Sequence, residues 1–380
     1  MSELSSKPAK AITSSSKHHF FGYYDKSCWD ASQRWVLGQE SMFMDRAPNA
    51  GDTITIGVID THNKNAWRPL TQTSAWNWQQ GCMLQWLGDG TEIIFNDIGP
   101  DGFYARIINI ETEAERKLSR PIYAVNRQGT HAVSLNFSRL QNQRPGYGYA
   151  GIPDKWEAVA TPTDDGLYSL DLQTGASELI LSLADAANFQ RMPEFEGKLH
   201  RFNHIQFSTN EQRFAFLHRY KTPDEEVGRT RLMTMNLDGS ELRCLSDHGF
   251  VSHYDWQADK AVLAWSGRHG IGDRYFLFED KIGGDIQIIG GERFKTDGHC
   301  SFSPDGQYML TDSYPDETDH RSLLLYHIER DELTTLGRFY SPPMEWQIRC
   351  DLHPRWNRDG TQVCIDSIHE GHRQMYVLSI

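Results

Sequence analysis

Four histidines occupy matching positions in four consecutive repeats of this chain. They are His204 in His-Ile-Gln-Phe-Ser, His253 in His-Tyr-Asp-Trp-Gln, His299 in His-Cys-Ser-Phe-Ser and His353 in His-Pro-Arg-Trp-Asn. Each stands three residues before an aromatic residue that opens a polar turn and a new strand. If the repeats surround an axis, the four imidazoles come from adjacent units at one height. Such a ring is poor core material. It suits proton transfer, anion binding or a metal ion, because imidazole titrates near neutrality and ligates metals when neutral.

The elements that must position them are short strands. Aromatic anchors followed by a polar turn and an apolar strand recur at Trp29, Trp86, Phe137, Phe207, Trp256, Phe302 and Trp356. Asp-Gly and Asn turns between alternating apolar runs indicate hairpins. Third strands follow, as in Leu167–Leu172, Leu232–Leu237 and Leu323–Ile328, and a fourth in Glu178–Leu181. Four short strands per unit of about fifty residues is the propeller pattern. Seven anchors predict an all-β, seven-bladed β-propeller that spans residues 1–380 as one domain. The last repeat ends at its third strand, so the polar N-terminal segment 1–17, around Lys10 to Ser14, is expected to supply the fourth and close the ring.

In a blade the second strand returns to the face where the first begins. The ends of the second strands should therefore share the histidine face: His218, Arg219 and Tyr220, then Arg268 and His269, then Tyr314, then His369 and His372. His200 precedes the first of the four histidines on the same strand. Blades two and three offer Met83 and Ser134 at the matching first-strand positions, so the chemistry is concentrated on one side of the mouth. Tyr23 and Tyr24, in the run His18–Lys26, are expected to pack in the first blade. A long insertion from Leu140 to Thr163 carries Arg144, Tyr147 and Tyr149, which could touch sugar rings.

The composition narrows the function classes. The chain has 380 residues, 38% hydrophobic and 12% aromatic, enough apolar bulk for a core. A net charge of -13 argues against sequence-independent nucleic-acid binding. Any anionic ligand then needs a locally basic pocket. The six cysteines form no CxxC pair, so neither a disulfide framework nor a zinc-finger spacing is expected. There is no apolar leader and no membrane-spanning run, which predicts a cytoplasmic protein, or a periplasmic or secreted one if a signal has been removed. Motifs for an esterase elbow, a nucleotide-binding P-loop or a zinc peptidase are missing.

At the four histidine segments the chain resembles polysaccharide lyases built on seven-bladed propellers, the oligogalacturonide lyases and the ulvan lyases. The residues that carry the likeness are Asn203–Ser208, Ser252–Trp256, Gly298–Gly306 and Leu352–Pro354. Such enzymes cleave uronic-acid glycosides by β-elimination. The first family implies a base at His253 and a divalent metal on His299 and His353. The second implies a site from His204, His218, Tyr254, Arg268 and Tyr314. Where the first family has two histidines separated by one residue, this chain has Asp351 and then His353. Asp351, Cys350 and His269 could complete a site with His299 and His353, as zinc if sulfur-rich or manganese if oxygen-rich.

The expected function is therefore a lyase acting on an anionic oligo- or polysaccharide that contains uronic acid. Arg268 neutralises the carboxylate, assisted by His204 and His218. Tyr254 or His253 is the base, and Arg219, His200 and Tyr220 help bind substrate. The rivals are a non-catalytic propeller that binds a partner or a glycan, and a hydrolase or epimerase on the same sugars. A hydrolase normally needs a carboxylate pair, and none recurs at the channel positions.

Overall fold

The alternating runs fold as antiparallel hairpins, and each pair of hairpins makes one sheet. In the computed structural model, which describes residues 8–14, 16–225 and 228–380, the described residues form seven four-stranded sheets. Blade 1 runs from His18–Phe20 to Ala66–Thr73, blade 2 from Gln85–Trp86 to Glu115–Leu118, and blade 3 from Ala124–Val125 to Ser177–Ser182. Blade 4 runs from Leu199–Phe207 to Arg243–Gly249, blade 5 from Val251–Gln257 to Ile286–Ile289, and blade 6 from Ser301–Phe302 to Glu332–Tyr340. Blade 7 contains Arg355–Trp356, Gln362–Ser367 and Gln374–Ser379. Its outer strand is Lys10–Ala11, with Lys10 opposite Val377 and Ala11 opposite Tyr376. The N-terminal segment thus closes the ring, as expected. Among the described residues no helix is long and apolar enough to cross a membrane.

Blade faces are buried against each other. Phe214, Phe216 and Met233 of blade 4 pack with Leu167 and Leu170 of blade 3, and Val363 and Ile365 of blade 7 pack with Leu310 and Leu323 of blade 6. The third anchor differs from expectation. Phe137 does not open a hairpin; it starts helix α1, Phe137–Gln143. The equivalent position in blade 3 is Val125, in the inner strand Ala124–Val125. A β-branched residue there gives no aromatic signal. Ser134 accordingly lies on the second strand, not at a first-strand start.

Two insertions shape the mouth of the channel. The first follows Ser134 and contains α1, capped by the Asn136 side chain, which accepts from Arg139 N–H. Buried Arg139 fixes it, donating to the carbonyls of His200 at 2.6 Å and Ala160 at 3.0 Å. The second, residues 341–350, crosses from blade 6 toward blade 2. Gln79 donates to the Arg349 carbonyl at 3.1 Å, and Arg373 donates to the Ile348 carbonyl at 2.6 Å. The insertions meet where Gln347 packs beside Gly146.

Candidate functional site

The four histidines form an arc. Ring centroids are 6.2 Å apart from His204 to His253, 3.9 Å from His253 to His299, and 4.3 Å from His299 to His353. All four are buried. Local irregularity aims them inward. The pairing register breaks between Asn203 and Gln206, and again between Val251 and Tyr254; such bulges re-aim side chains. His204 and His353 also have φ of 49° and 43°, the left-handed region that costs a non-glycine residue about 1–3 kcal/mol. Hydrogen bonds hold the strained turns. Asn203 Oδ1 accepts from His204 N–H at 2.8 Å, and Asp312 Oδ2 accepts from His353 N–H at 3.2 Å.

Tyr23 sits inside this arc. Its ring stacks on His204 at 5.0 Å and meets His353 edge-on at 5.0 Å, and its hydroxyl lies 3.3 Å from His204 Nε2. Gly22 makes this possible. With φ of +130°, it approaches the Gln80 carbonyl so closely that a Cβ would lie 2.9 Å from the oxygen. Tyr23 therefore enters the channel, contrary to the expectation of simple packing in blade 1.

Beside the arc opens a cavity of about 320 Å³. His253 lines it with Nδ1 3.0 Å from Asp297 Oδ1. Burial lowers the His253 pKa, and Asp297 only partly offsets it. The imidazole is thus neutral near pH 7, its Nδ1 proton assigned to the carboxylate and Nε2 left as a lone pair without a protein partner among the described residues. That is the arrangement of a general base.

Cations dominate the lining. Arg144, Arg219 and Arg349 face one carboxylate, that of Asp297. Arg219 makes no ion pair with a described acid, and its Nε is buried without a partner. Burial first, then nearby Arg144, depress its pKa. A desolvated, unpaired guanidinium is costly to keep unless it meets an anion. Arg349 is anchored, its Nε 2.8 Å from Asp351 and its Nη2 donating to Tyr147 Oη at 3.1 Å. Tyr314 completes the wall; burial, then Asp297, push its pKa well up, so the phenol stays protonated.

Below the cavity, the ligand atoms of His299, Asp351 and His353 lie within 4.8 Å of one another. The Nε2 atoms of both histidines are buried without hydrogen-bond partners. His299 Nδ1 is 2.8 Å from Asp312 Oδ1, the carboxylate support typical of a ligating imidazole. Burial would raise Asp351, but Arg321 and Arg349 outweigh it and hold the carboxylate ionised. Two imidazoles and one carboxylate are a ligand set that fits a divalent metal of the manganese, iron or zinc type. The Asp351-x-His353 spacing is thus a workable variant of two histidines.

Several predicted site residues lie elsewhere. On strand Arg213–Lys221, alternation turns Arg219 to the cavity and His218 and Tyr220 to the opposite side. His218 Nε2 there meets His200 Nδ1 at 2.8 Å, Arg231 donates to His218 Nδ1, and Phe195 packs edge-on. His200, His218 and Tyr220 thus sit in a buried cluster away from the cavity. Tyr254 is also turned under, its hydroxyl donating to the carbonyls of His204 and Ala215. Burial raises its pKa well above the usual phenol range, and Tyr254 does not line the cavity. Arg268 lies over Phe276, outside the cavity. His269 is exposed, and Cys350 is a buried thiol raised to about 11, outside the metal-type group. His369 packs tilted against Tyr376, and Tyr149 stacks in the core on Phe137.

The structure thus brings together His204, His253, His299 and His353 with Arg219 and Tyr314. It adds Tyr23, Asp297, Asp312, Trp346 and Arg349, which no repeat signal marked. Arg144 and Tyr147 of the long insertion do reach the cavity.

No family's sequence pattern matches the chain, and no curated protein is similar to it in sequence. Solved structures are similar in fold. An oligogalacturonate lyase from Vibrio parahaemolyticus superposes with a TM-score of 0.68 at 13% identity, over 100% of this chain and 95% of that one. An oligogalacturonate lyase in complex with manganese gives 0.69 at 16% identity, over 97% and 92%. The β-propeller domain of the Trilobed protease from Pyrococcus furiosus gives 0.55 at 11% identity, over 98% and 94%. These likenesses place the chain among the seven-bladed propellers, a fold that oligogalacturonate lyases share with unrelated proteins.

Proposed function

We propose that this protein is a carbon–oxygen lyase that cleaves uronic-acid-containing oligosaccharides by β-elimination. The observation that carries the reading is His253, held by Asp297 with Nε2 free, beside the unpaired Arg219. Elimination needs both. The C5 proton of a uronate is barely acidic until its carboxylate is neutralised. Arg219 binds that carboxylate and stabilises the charge that develops on it. His253 Nε2 takes the C5 proton, and the freed electron pair forms the C4=C5 double bond. The C4–O4 bond breaks, and O4 takes a proton from the Tyr314 hydroxyl. Tyr23 keeps His204 in place at the floor.

A divalent cation, held by His299, Asp351 and His353, would supply Lewis acidity toward a carboxylate oxygen. The similarity in fold to an oligogalacturonate lyase bound to manganese supports a metal here. Of the two sugar classes, the oligogalacturonide type is favoured. Its implied positions, His253, His299 and His353, converge, whereas His218, Tyr254 and Arg268 of the ulvan type lie off the cavity. A hydrolase is disfavoured, because the cavity's one carboxylate, Asp297, is engaged by His253.

The test is ultraviolet absorbance of the C4=C5 product during incubation with oligogalacturonides, ulvan fragments and glucuronans. A rise with one class establishes the lyase and its sugar. Binding without any rise, on folded protein, favours a glycan-binding platform.

A further inference from the structure

The wall formed where the two insertions meet has chemistry that elimination at one sugar does not use. Trp346 and Tyr147 stack with centroids 5.8 Å apart at 25°. The Arg144 guanidinium lies 4.0 Å over the Trp346 ring. Arg144 is partly exposed, follows helix α1 as its C-cap, and has no acidic partner among the described residues. Its neighbour Arg349 is tied to Asp351 and to the Trp346 carbonyl, the latter at 2.7 Å. Arg144 is therefore a cation held on the same cavity as Arg219, and neither has an ion pair with a described acid.

We propose that Arg144, braced on Trp346, binds a second anionic group, on the sugar next to the one whose carboxylate Arg219 holds. The ligand is then an oligosaccharide with acidic groups on adjacent residues, and the Trp346–Tyr147 wall lies beside the second ring. The proposal rests on the uronide reading of the site.

Arginine suits this position. Its planar fork pairs with carboxylate or sulfate in two-point contact, and stacking on an indole fixes the plane while leaving the N–H edge free. Packing explains the placement. The Gly146 backbone, at φ of +92°, lies so near Gln347 that a Cβ would be 3.3 Å from its Cγ, and this brings Arg144 and Tyr147 against Trp346. Carboxylate and sulfate ester share the recognition chemistry.

The test is calorimetric binding in a His253→Ala background, which stops turnover. The probes are digalacturonate, the same disaccharide with one carboxylate methyl-esterified, and a uronate disaccharide whose second sugar carries sulfate. Arg144→Ala should weaken the doubly acidic probes about tenfold and the mono-ester less than twofold, the size of one charge-assisted contact. Trp346→Leu should show the same selectivity. Tighter binding of digalacturonate assigns a carboxylate to Arg144; tighter binding of the sulfated probe assigns a sulfate. Equal loss for diacid and mono-ester, no loss, or no binding of either doubly acidic probe by the Arg144-containing protein overturns the proposal. Absorbance with the His253-containing protein separates the two readings. Arg144-dependent diacid binding without a C4=C5 signal contradicts the lyase and leaves the second acidic contact standing.

Discussion

Asp297 Oδ1 lies 3.0 Å from His253 Nδ1, in a cavity where three arginines face a single carboxylate. The pair orients the imidazole and fixes its tautomer. Asp297→Asn keeps the shape but replaces the charged acceptor with a neutral amide. We expect kcat to fall at least tenfold with KM little changed, and His253→Ala to lower kcat by about 10²-fold or more. Steady-state kinetics on the responsive uronide check both. Equal activity in Asp297→Asn would remove His253 from the role of base.

Arg219 is expected to trade stability for function. It is partly exposed, but its Nε is buried without a partner and it has no ion pair with a described acid, so Arg219→Met should raise the melting temperature by a few degrees while lowering kcat/KM by about 10- to 100-fold. Thermal denaturation alongside kinetics tests this. Loss of stability would mean that Arg219 serves the fold.

The residues turned away from the cavity should be silent in catalysis. Arg268→Ala should leave kcat/KM within about twofold. Tyr254→Phe should cost about 1 kcal/mol of stability through its lost hydrogen bonds, with kcat similarly unaffected. A large kinetic loss in Arg268→Ala would restore the ulvan-type assignment.

Metal content is a separate readout. The purified protein should bind about one divalent ion per chain, and His353→Ala or Asp351→Asn should abolish that binding. Elemental analysis after dialysis against manganese or zinc measures it. Retention of the ion by both variants would place the metal elsewhere.

Stability should fall on acidification. Burial lowers the pKa of His200 to about 4 and also lowers His204, His218 and His353. Each stays neutral in the folded protein while the unfolded chain protonates near 6.5. The unfolded state therefore binds more protons below about pH 6.5, and stability falls from there toward pH 4. Melting temperatures across that window should decline, less steeply for His200→Gln. A flat profile would mean that these imidazoles protonate without cost.

The ring and the four histidines were legible because the polar turns and aromatic anchors recur at blade spacing. Blade 3 was misplaced because Val125 carries no aromatic signal and Phe137 happened to fit. Facing was harder to read. His218 and Arg219 are adjacent, and only strand parity, set by the bulge after Asn203, decides which one enters the cavity. Without that parity the sequence points to Arg268 for the carboxylate and leaves Arg219 a general binding role. Asp297, Trp346 and Tyr23 lie in connections outside the repeat. For Tyr23, the Gly22-Tyr23-Tyr24 run was visible, but the close approach to Gln80 that demands the glycine was not.

The central claim is that His253 abstracts a proton from a uronate. Its most direct measurement is solvent deuterium exchange at C5 together with absorbance of the C4=C5 product, on oligogalacturonide, for the parent protein and His253→Ala. The account predicts product formation by the parent and loss of both signals in the variant, with the variant still folded and still binding. An undiminished absorbance rise in His253→Ala, or glycosidic cleavage without a double bond, would contradict it.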